Sequence, residues 1–165
     1  MTFCFYSISK SLSSSGMIRC VLIFNEQGKA RLLRFYDKTD FEQQQLILKN
    51  IFGLISGRDD STSCCFVFDS LPNEERIIYR HFASLFFVVV ADACESELGI
   101  LDLLQVFVHV LDQCFENICE LDIVYHYDRV NYVLDEIVMA GLVLETNSEV
   151  ILHSIGEINR SAKAS

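Results

Sequence analysis

The sequence predicts a mixed α/β domain of the α+β kind, a five-stranded antiparallel sheet with helices on both faces. Three observations lead there. Apolar runs follow one another through short turn-rich connections, the pattern of hairpins rather than of parallel crossovers. The runs IRCVLIF and LFFVVVA have no polar side, so both faces of the sheet need a cover. Around them, apolar residues recur at helical spacing. At 165 residues the chain is long enough to bury one such core without metals or disulfides.

From Met17 onward, IRCVLIF reads as a first strand, NEQGK as a turn with a glycine, and ARLLRFY as the return strand. Thr39 followed by Glu42 has the form of a capping box. Ile47, Leu48, Ile51, Phe52, Leu54 and Ile55 then mark one helical face up to Gly57. After the polar GRDDSTS comes CCFVFDS, a third strand. RIIYRHFA and LFFVVVADA are two more, with their turn near Ser84. A long helix spans Leu98 to Ile118, on which Asp102, Gln105, His109, Asp112 and Glu116 step by three or four and draw one narrow wet stripe. Val130, Val133, Leu134, Ile137 and Val138 form the next helical stripe, with Gly141 placed as its C-cap. A final helix starts at a Thr146 to Glu149 box and presents Ile151, Leu152, Ile155 and Ile158. The order is β-β-α-β-β-β-α-α-α, with no internal repeat. Residues 1–16, Ser-rich and without a cleavage pattern, read as a flexible extension before a domain over 17–160 and a tail over 161–165.

Composition excludes several functions. Hydrophobic residues are 51% and charged residues 22% of the chain, which is globular rather than disordered. A formal net charge of -10 repels phosphate backbones, so no nucleic acid is expected as a partner. Seven cysteines, an odd and scattered set, read as reduced cytosolic thiols. LFFVVVA is too short to cross a bilayer. Nothing has the spacing of an active site: His81, His109, His126 and His153 are dispersed, and HExxH, CxxC, GxSxG and a Gly-rich phosphate loop are all missing. His109 with Asp112 lies on the wet stripe, and Asp59 with Asp60 in a polar loop, where solvated surface is the ordinary role. No catalysis, no metal and no cofactor are expected.

The Leu98–Ile118 helix is apolar around most of its circumference, and a sheet covers only one side of a helix. Its second neighbour is another helix of this chain or another protein, and periodicity does not decide between them. The segments MIRCVLIFNEQGKARLLRFY and RIIYRHFASLFFVVVADACESELGILDLLQVFVHVLDQCFENICELDIVYHYDRVNYVLDEIVMAGLVLET, in this order, closely resemble the small (sigma) chains of heterotetrameric clathrin-adaptor complexes, from Met17 to about Asn159. Within that family SELGILDL, QVFVHVLDQCFENICELDIVYH and VMAGLVLET look most like the sigma chain of adaptor complex three.

The resemblance implies a longin-like fold held by a large, delta-type subunit, with beta and mu chains in the same heterotetramer and that partner as the helix's second neighbour. It implies a cytoplasmic protein, peripheral on Golgi- or endosome-derived vesicle membranes through its complex. It also implies binding of cytosolic cargo tails that carry an acidic residue four positions before a Leu-Leu or Leu-Ile pair. The family's leucine pocket falls on Ala83, Leu85, Val108, Asn117, Ile118 and Ile123. The strand arginine that helps read the acidic residue falls on Arg31, a second arginine coming from the large subunit. By pattern alone the apolar members are ordinary core, and Arg31 is a solvated strand residue. The alternative is another longin-type trafficking module, such as a coatomer zeta chain. A longin-domain SNARE would need a heptad-repeat segment and an anchor after the domain.

Overall fold

The structure, a computed structural model, describes residues 17–57, 65–68 and 75–163. The expected extension over 1–16 and the loop bearing Asp59 and Asp60 lie outside the described residues. The elements are β1 (Ile18–Asn25), β2 (Ala30–Phe35), α1 (Phe41–Ser56), β3 (Cys65–Phe68), β4 (Glu75–Phe82), β5 (Leu85–Asp92), α2 (Glu97–Phe115), α3 (Glu120–Tyr125), α4 (Tyr127–Ile137), β6 (Val138–Met139), β7 (Leu142–Val143) and α5 (Ser148–Lys163). Five strands form the main sheet in the order β2-β1-β5-β4-β3, every pair antiparallel, and β6 with β7 makes a separate two-stranded ribbon.

The strands without a polar side are explained by two cores, one on each face of the sheet. Cys20, Leu22, Phe24, Ile77, Tyr79, Val88 and Val90 point to one face and pack with Leu48, Ile51 and Ile55 of α1. Ile18, Val21, Ile23, Ile78, Leu85, Phe87 and Val89 point to the other and pack with α2, α4 and α5. Alternation along each strand therefore sorts apolar residues between two hydrophobic layers instead of between core and water.

α2 begins at Ser96, whose hydroxyl accepts the Gly99 N–H at 3.3 Å, an N-cap. Asp102, Gln105, His109 and Glu116 are exposed and Asp112 is half-buried, so the wet stripe lies where the periodicity put it. Length and apolar composition alone would let α2 cross a membrane, yet its apolar residues are the centre of the larger core. Besides the sheet, α4 and α5 of this chain lie against α2, while Leu98 and most of the polar stripe stay exposed.

Expectations about individual elements are revised as well. The long helix stops at Phe115, because Glu116 and Asn117 both take left-handed φ values, 52° and 81°. CELD, between the two expected helices, starts the six-residue helix α3, with Asp122 accepting the Cys119 N–H at 2.8 Å and held below the usual carboxylate range by the Cys119 side chain first and that N–H second. Val138 begins β6 rather than ending a helix, and Gly141 (φ 81°) sits with Ala140 (φ 52°) in the β6–β7 turn. A Cβ on Gly141 would meet the Ile18 carbonyl at 2.5 Å, and its own carbonyl accepts the Ile18 N–H at 2.8 Å. Neither expected capping box starts its helix: Asp40 precedes α1 without a side-chain cap, and Asn147 Oδ1 accepts the Glu149 N–H at α5. α5 spans Ser148–Lys163.

Candidate functional site

Arg31 is placed by the β1–β2 hairpin. Asn25 and Lys29 close the turn (Asn25 N to Lys29 O, 3.0 Å), and Gly28 occupies its left-handed position, φ 78°, where a Cβ would collide with the Phe52 ring at 2.5 Å. The pairing then slips: Phe24 faces Ala30, Ile23 faces Leu32, and Arg31 is skipped. Such a bulge bends the strand and re-aims the extra side chain. Arg31 is aimed at the first residue of α3, its Nε donating to Glu120 Oε1 at 2.7 Å and its Nη2 to the same oxygen. The two side chains are 18% and 28% exposed.

Behind this pair stands Asn25, buried at 5% exposure. Its Oδ1 accepts the backbone N–H groups of Gln27 at 3.1 Å and Lys29 at 2.8 Å, and its Nδ2 donates to Glu120 Oε1 at 3.0 Å. A buried amide with these partners is satisfied and rigid. Sequence reasoning missed Asn25 and Glu120. The turn residues NEQGK hint at a side-chain-braced turn, but nothing local says that Glu120, 89 positions away from Arg31, is its partner.

The apolar candidates converge from three elements. Leu85 at the start of β5, Val108 on α2, Ile118 after α2 and Ile123 on α3 are all buried in one cluster. Asp112 brings Ile118 inward: its carbonyl accepts the N–H of Glu116 and, at 3.3 Å, of Asn117, while its carboxylate accepts the Ile118 N–H at 3.2 Å. Asn117 is exposed at this reversal. Ala83, also exposed, forms the two-residue β4–β5 turn with Ser84 and adopts φ 53°. Glu120 lies between Ile118 and Ile123 in sequence, so α3 joins the polar Arg31 group to the apolar cluster. All four side chains are buried, so two ligand leucines would have to displace buried apolar groups.

Elsewhere, a cavity of about 590 Å³ lies on the α1 face, lined by Arg19, Cys20, Phe35, Asp37, Glu75 and Val90 among others, and by none of the candidate residues. Burial pushes the Cys20 thiol far above its ordinary pKa, which removes it as a nucleophile. Cys94, Cys114 and Cys119 are also free thiols. Among the described residues, no three His, Cys, Asp or Glu side chains group closely enough to hold a metal ion.

A family model described as Clathrin adaptor complex small chain matches residues 17–162. The protein named AP-3 complex subunit sigma-2 of Homo sapiens is 49% identical over 150 residues, covering 90% of this chain and 78% of that protein. AP-3 complex subunit sigma of Dictyostelium discoideum is 47% identical over 156 residues, covering 90% and 89%, and that of Arabidopsis thaliana 44% over 150 residues, covering 90% and 90%. Among structures, a chain of the assembly titled "Homology model of the full-length AP-3 complex in a stretched open conformation" superposes with a TM-score of 0.69 at 38% identity, over 90% of this chain and 96% of that one. Fold, family match and relatives agree that this chain belongs to the small-chain family of clathrin adaptor complexes, among members of the adaptor-complex-three sigma type.

Proposed function

We propose that this chain serves in a heterotetrameric adaptor as the small subunit that, with a large delta-type subunit, binds acidic dileucine signals in the cytosolic tails of membrane cargo. It acts by binding and carries out no catalysis. Its place is peripheral on Golgi- or endosome-derived vesicles, through the complex and its beta and mu chains.

The observation that carries the reading is the convergence on α3. A strand arginine, lifted out of register by a bulge, lies beside the same short helix whose own Ile123 and preceding Ile118 join Leu85 and Val108 in the core. Guanidinium suits a carboxylate ligand because its charge is permanent and its donors are paired. Ala83 is small at the rim, and Asn117 presents an exposed amide for the backbone of an extended peptide.

Leu121, Val124, Tyr125 and Tyr127 are exposed on α3 and the start of α4, and Met139 and Leu142 are exposed on the β6–β7 ribbon. Tyr125 alone is 76% exposed. Apolar exposure concentrated over residues 121–144 supports docking of a partner there.

Magnitudes make the site weak by design. Burying two leucines contributes roughly 1.5–3 kcal/mol each, a partly exposed ion pair about 0–1 kcal/mol, and ordering a flexible tail offsets part of this. Single signals then bind in about the micromolar range or weaker, and capture on a vesicle needs several contacts at once.

The test is a double-mutant cycle in the assembled complex. Arg31→Ala weakens a Glu-bearing dileucine peptide, changing that Glu to Gln weakens binding to the unmodified complex, and the double change costs less than the sum by about 0.5–1.5 kcal/mol. Val108→Asp weakens both peptides alike. Strict additivity of Arg31 with the peptide carboxylate, measured by calorimetry at low salt, would remove Arg31 from the site.

A further inference from the structure

We infer that Glu120 sets how strongly this site prefers an acidic signal residue, as an internal carboxylate that an incoming carboxylate meets on Arg31. The inference rests on the dileucine reading above and goes beyond it, since that reading gives Glu120 no role.

The geometry is specific. A single oxygen, Glu120 Oε1, accepts from Arg31 Nε at 2.7 Å, from Arg31 Nη2, and from Asn25 Nδ2 at 3.0 Å. A guanidinium carries five N–H donors, so Glu120 takes the Nε edge and leaves the Nη1 edge able to donate. What it removes is charge, because the pair is neutral as a unit. Nor is the carboxylate free to swing away. Asn25 is fixed by the turn amides of Gln27 and Lys29, and its Nδ2 holds Glu120 from behind. Both members of the ion pair retain partial access to solvent, 18% and 28%, so a ligand reaches the arginine without first unfolding α3.

A peptide carboxylate therefore approaches a half-used guanidinium with a like charge beside it. Part of its attraction to Arg31 is cancelled by repulsion from Glu120. A peptide amide at the same position has no such repulsion to overcome, so the Glu-over-Gln preference is smaller than a lone arginine would give. Glu120 is thus a positioning residue that acts through Arg31, holding the guanidinium in one orientation while limiting its net charge.

Two substitutions separate tether from charge. Glu120→Gln retains an oxygen acceptor for Arg31 and Asn25 but carries no charge, whereas Glu120→Asp retains the charge on a shorter arm. In the assembled complex, titrated with Glu-bearing and Gln-bearing dileucine peptides, Glu120→Gln raises affinity for the Glu peptide roughly three- to tenfold. Affinity for the Gln peptide stays within about twofold, and the gain shrinks as salt rises. Glu120→Asp shows no such gain. An unchanged Glu-peptide affinity in Glu120→Gln, with binding still weakened by Arg31→Ala, overturns this inference alone, and so does an equal gain in Glu120→Asp. Failure of both peptides to bind the unmodified complex overturns the dileucine reading and this inference with it.

Discussion

The two ends of β1 carry polar networks built on opposite plans. At its start, Arg19 donates to Asp92 at 2.9 Å and to Asp37 at 2.5 Å, with Glu75 at 3.9 Å. Hydrogen bonding to Asp37, helped by Asp92 and opposed by burial, holds this guanidinium above its ordinary range. At its end, Arg31 meets one carboxylate, which the buried Asn25 amide holds from behind. Three acids gather around Arg19, and its donors are spent on them. One acid leaves neutrality and a free donor edge. An arginine on a strand becomes a candidate reader of acidic residues through the count of carboxylates around it, and that count is set by elements distant in sequence.

The comparison breaks first at Asn25. Replacing it by Leu leaves the turn amides of Gln27 and Lys29 to water, takes a donor from Glu120, and buries an apolar group against a carboxylate. The expected cost is about 1–3 kcal/mol, read from urea unfolding of the chain in its complex. The same variant narrows the difference in affinity between Glu and Gln peptides, because Arg31 loses the brace behind its partner. A loss of stability with the peptide difference intact would show that the turn and the site are independent.

A smaller effect sharpens the contrast from the other end. Arg19→Ala is expected to destabilise by about 1 kcal/mol, the value for charged hydrogen bonds discounted for a side chain 37% exposed. Peptide affinity stays unchanged, since Arg19 lies at the opposite end of β1. Arg19→Lys restores little, because one ammonium cannot span Asp37 and Asp92 as a planar fork does. Weakened peptide binding in Arg19→Ala would mean that the two ends communicate through the strand.

The same contrast explains what was legible in the sequence. Five strands and their hairpins follow from apolar runs between turn residues, and the polar stripe of α2 from helical periodicity, because each signal spans several residues. α3 escaped because six residues hold too few turns to show a helical period. Val138 continued the apolar stripe of α4 in sequence while the backbone had already turned into β6, and both roles bury it. Leu85, Val108, Ile118 and Ile123 were legible from pattern as the core that they form, and the pocket reading comes only from the family resemblance. Arg31 had the chemistry but not the partner: the slip in register against β1, and Glu120 opposite it, are tertiary facts with no local signature.

The smallest effect supplies the baseline for reading the others. Arg34, on the same strand as Arg31, pairs through Nη2 with Asp135 of α4, and the two side chains are 35% and 46% exposed. Asp135 raises the Arg34 pKa, chiefly by hydrogen bonding against a desolvation penalty. Yet no buried amide stands behind this pair, and water competes for both partners. A double-mutant cycle with Arg34→Gln and Asp135→Asn should give a coupling of about 0.2–1 kcal/mol in urea unfolding, falling as salt rises. The cycle between Arg31→Gln and Glu120→Gln, run in the same way, should give a larger coupling, because its members are less exposed and Asn25 also donates to Glu120. Equal couplings would mean that neither Asn25 nor burial strengthens the Arg31–Glu120 pair. Glu120 would then be one more surface carboxylate, and the distinction between the two ends of β1 would reduce to a count of charges.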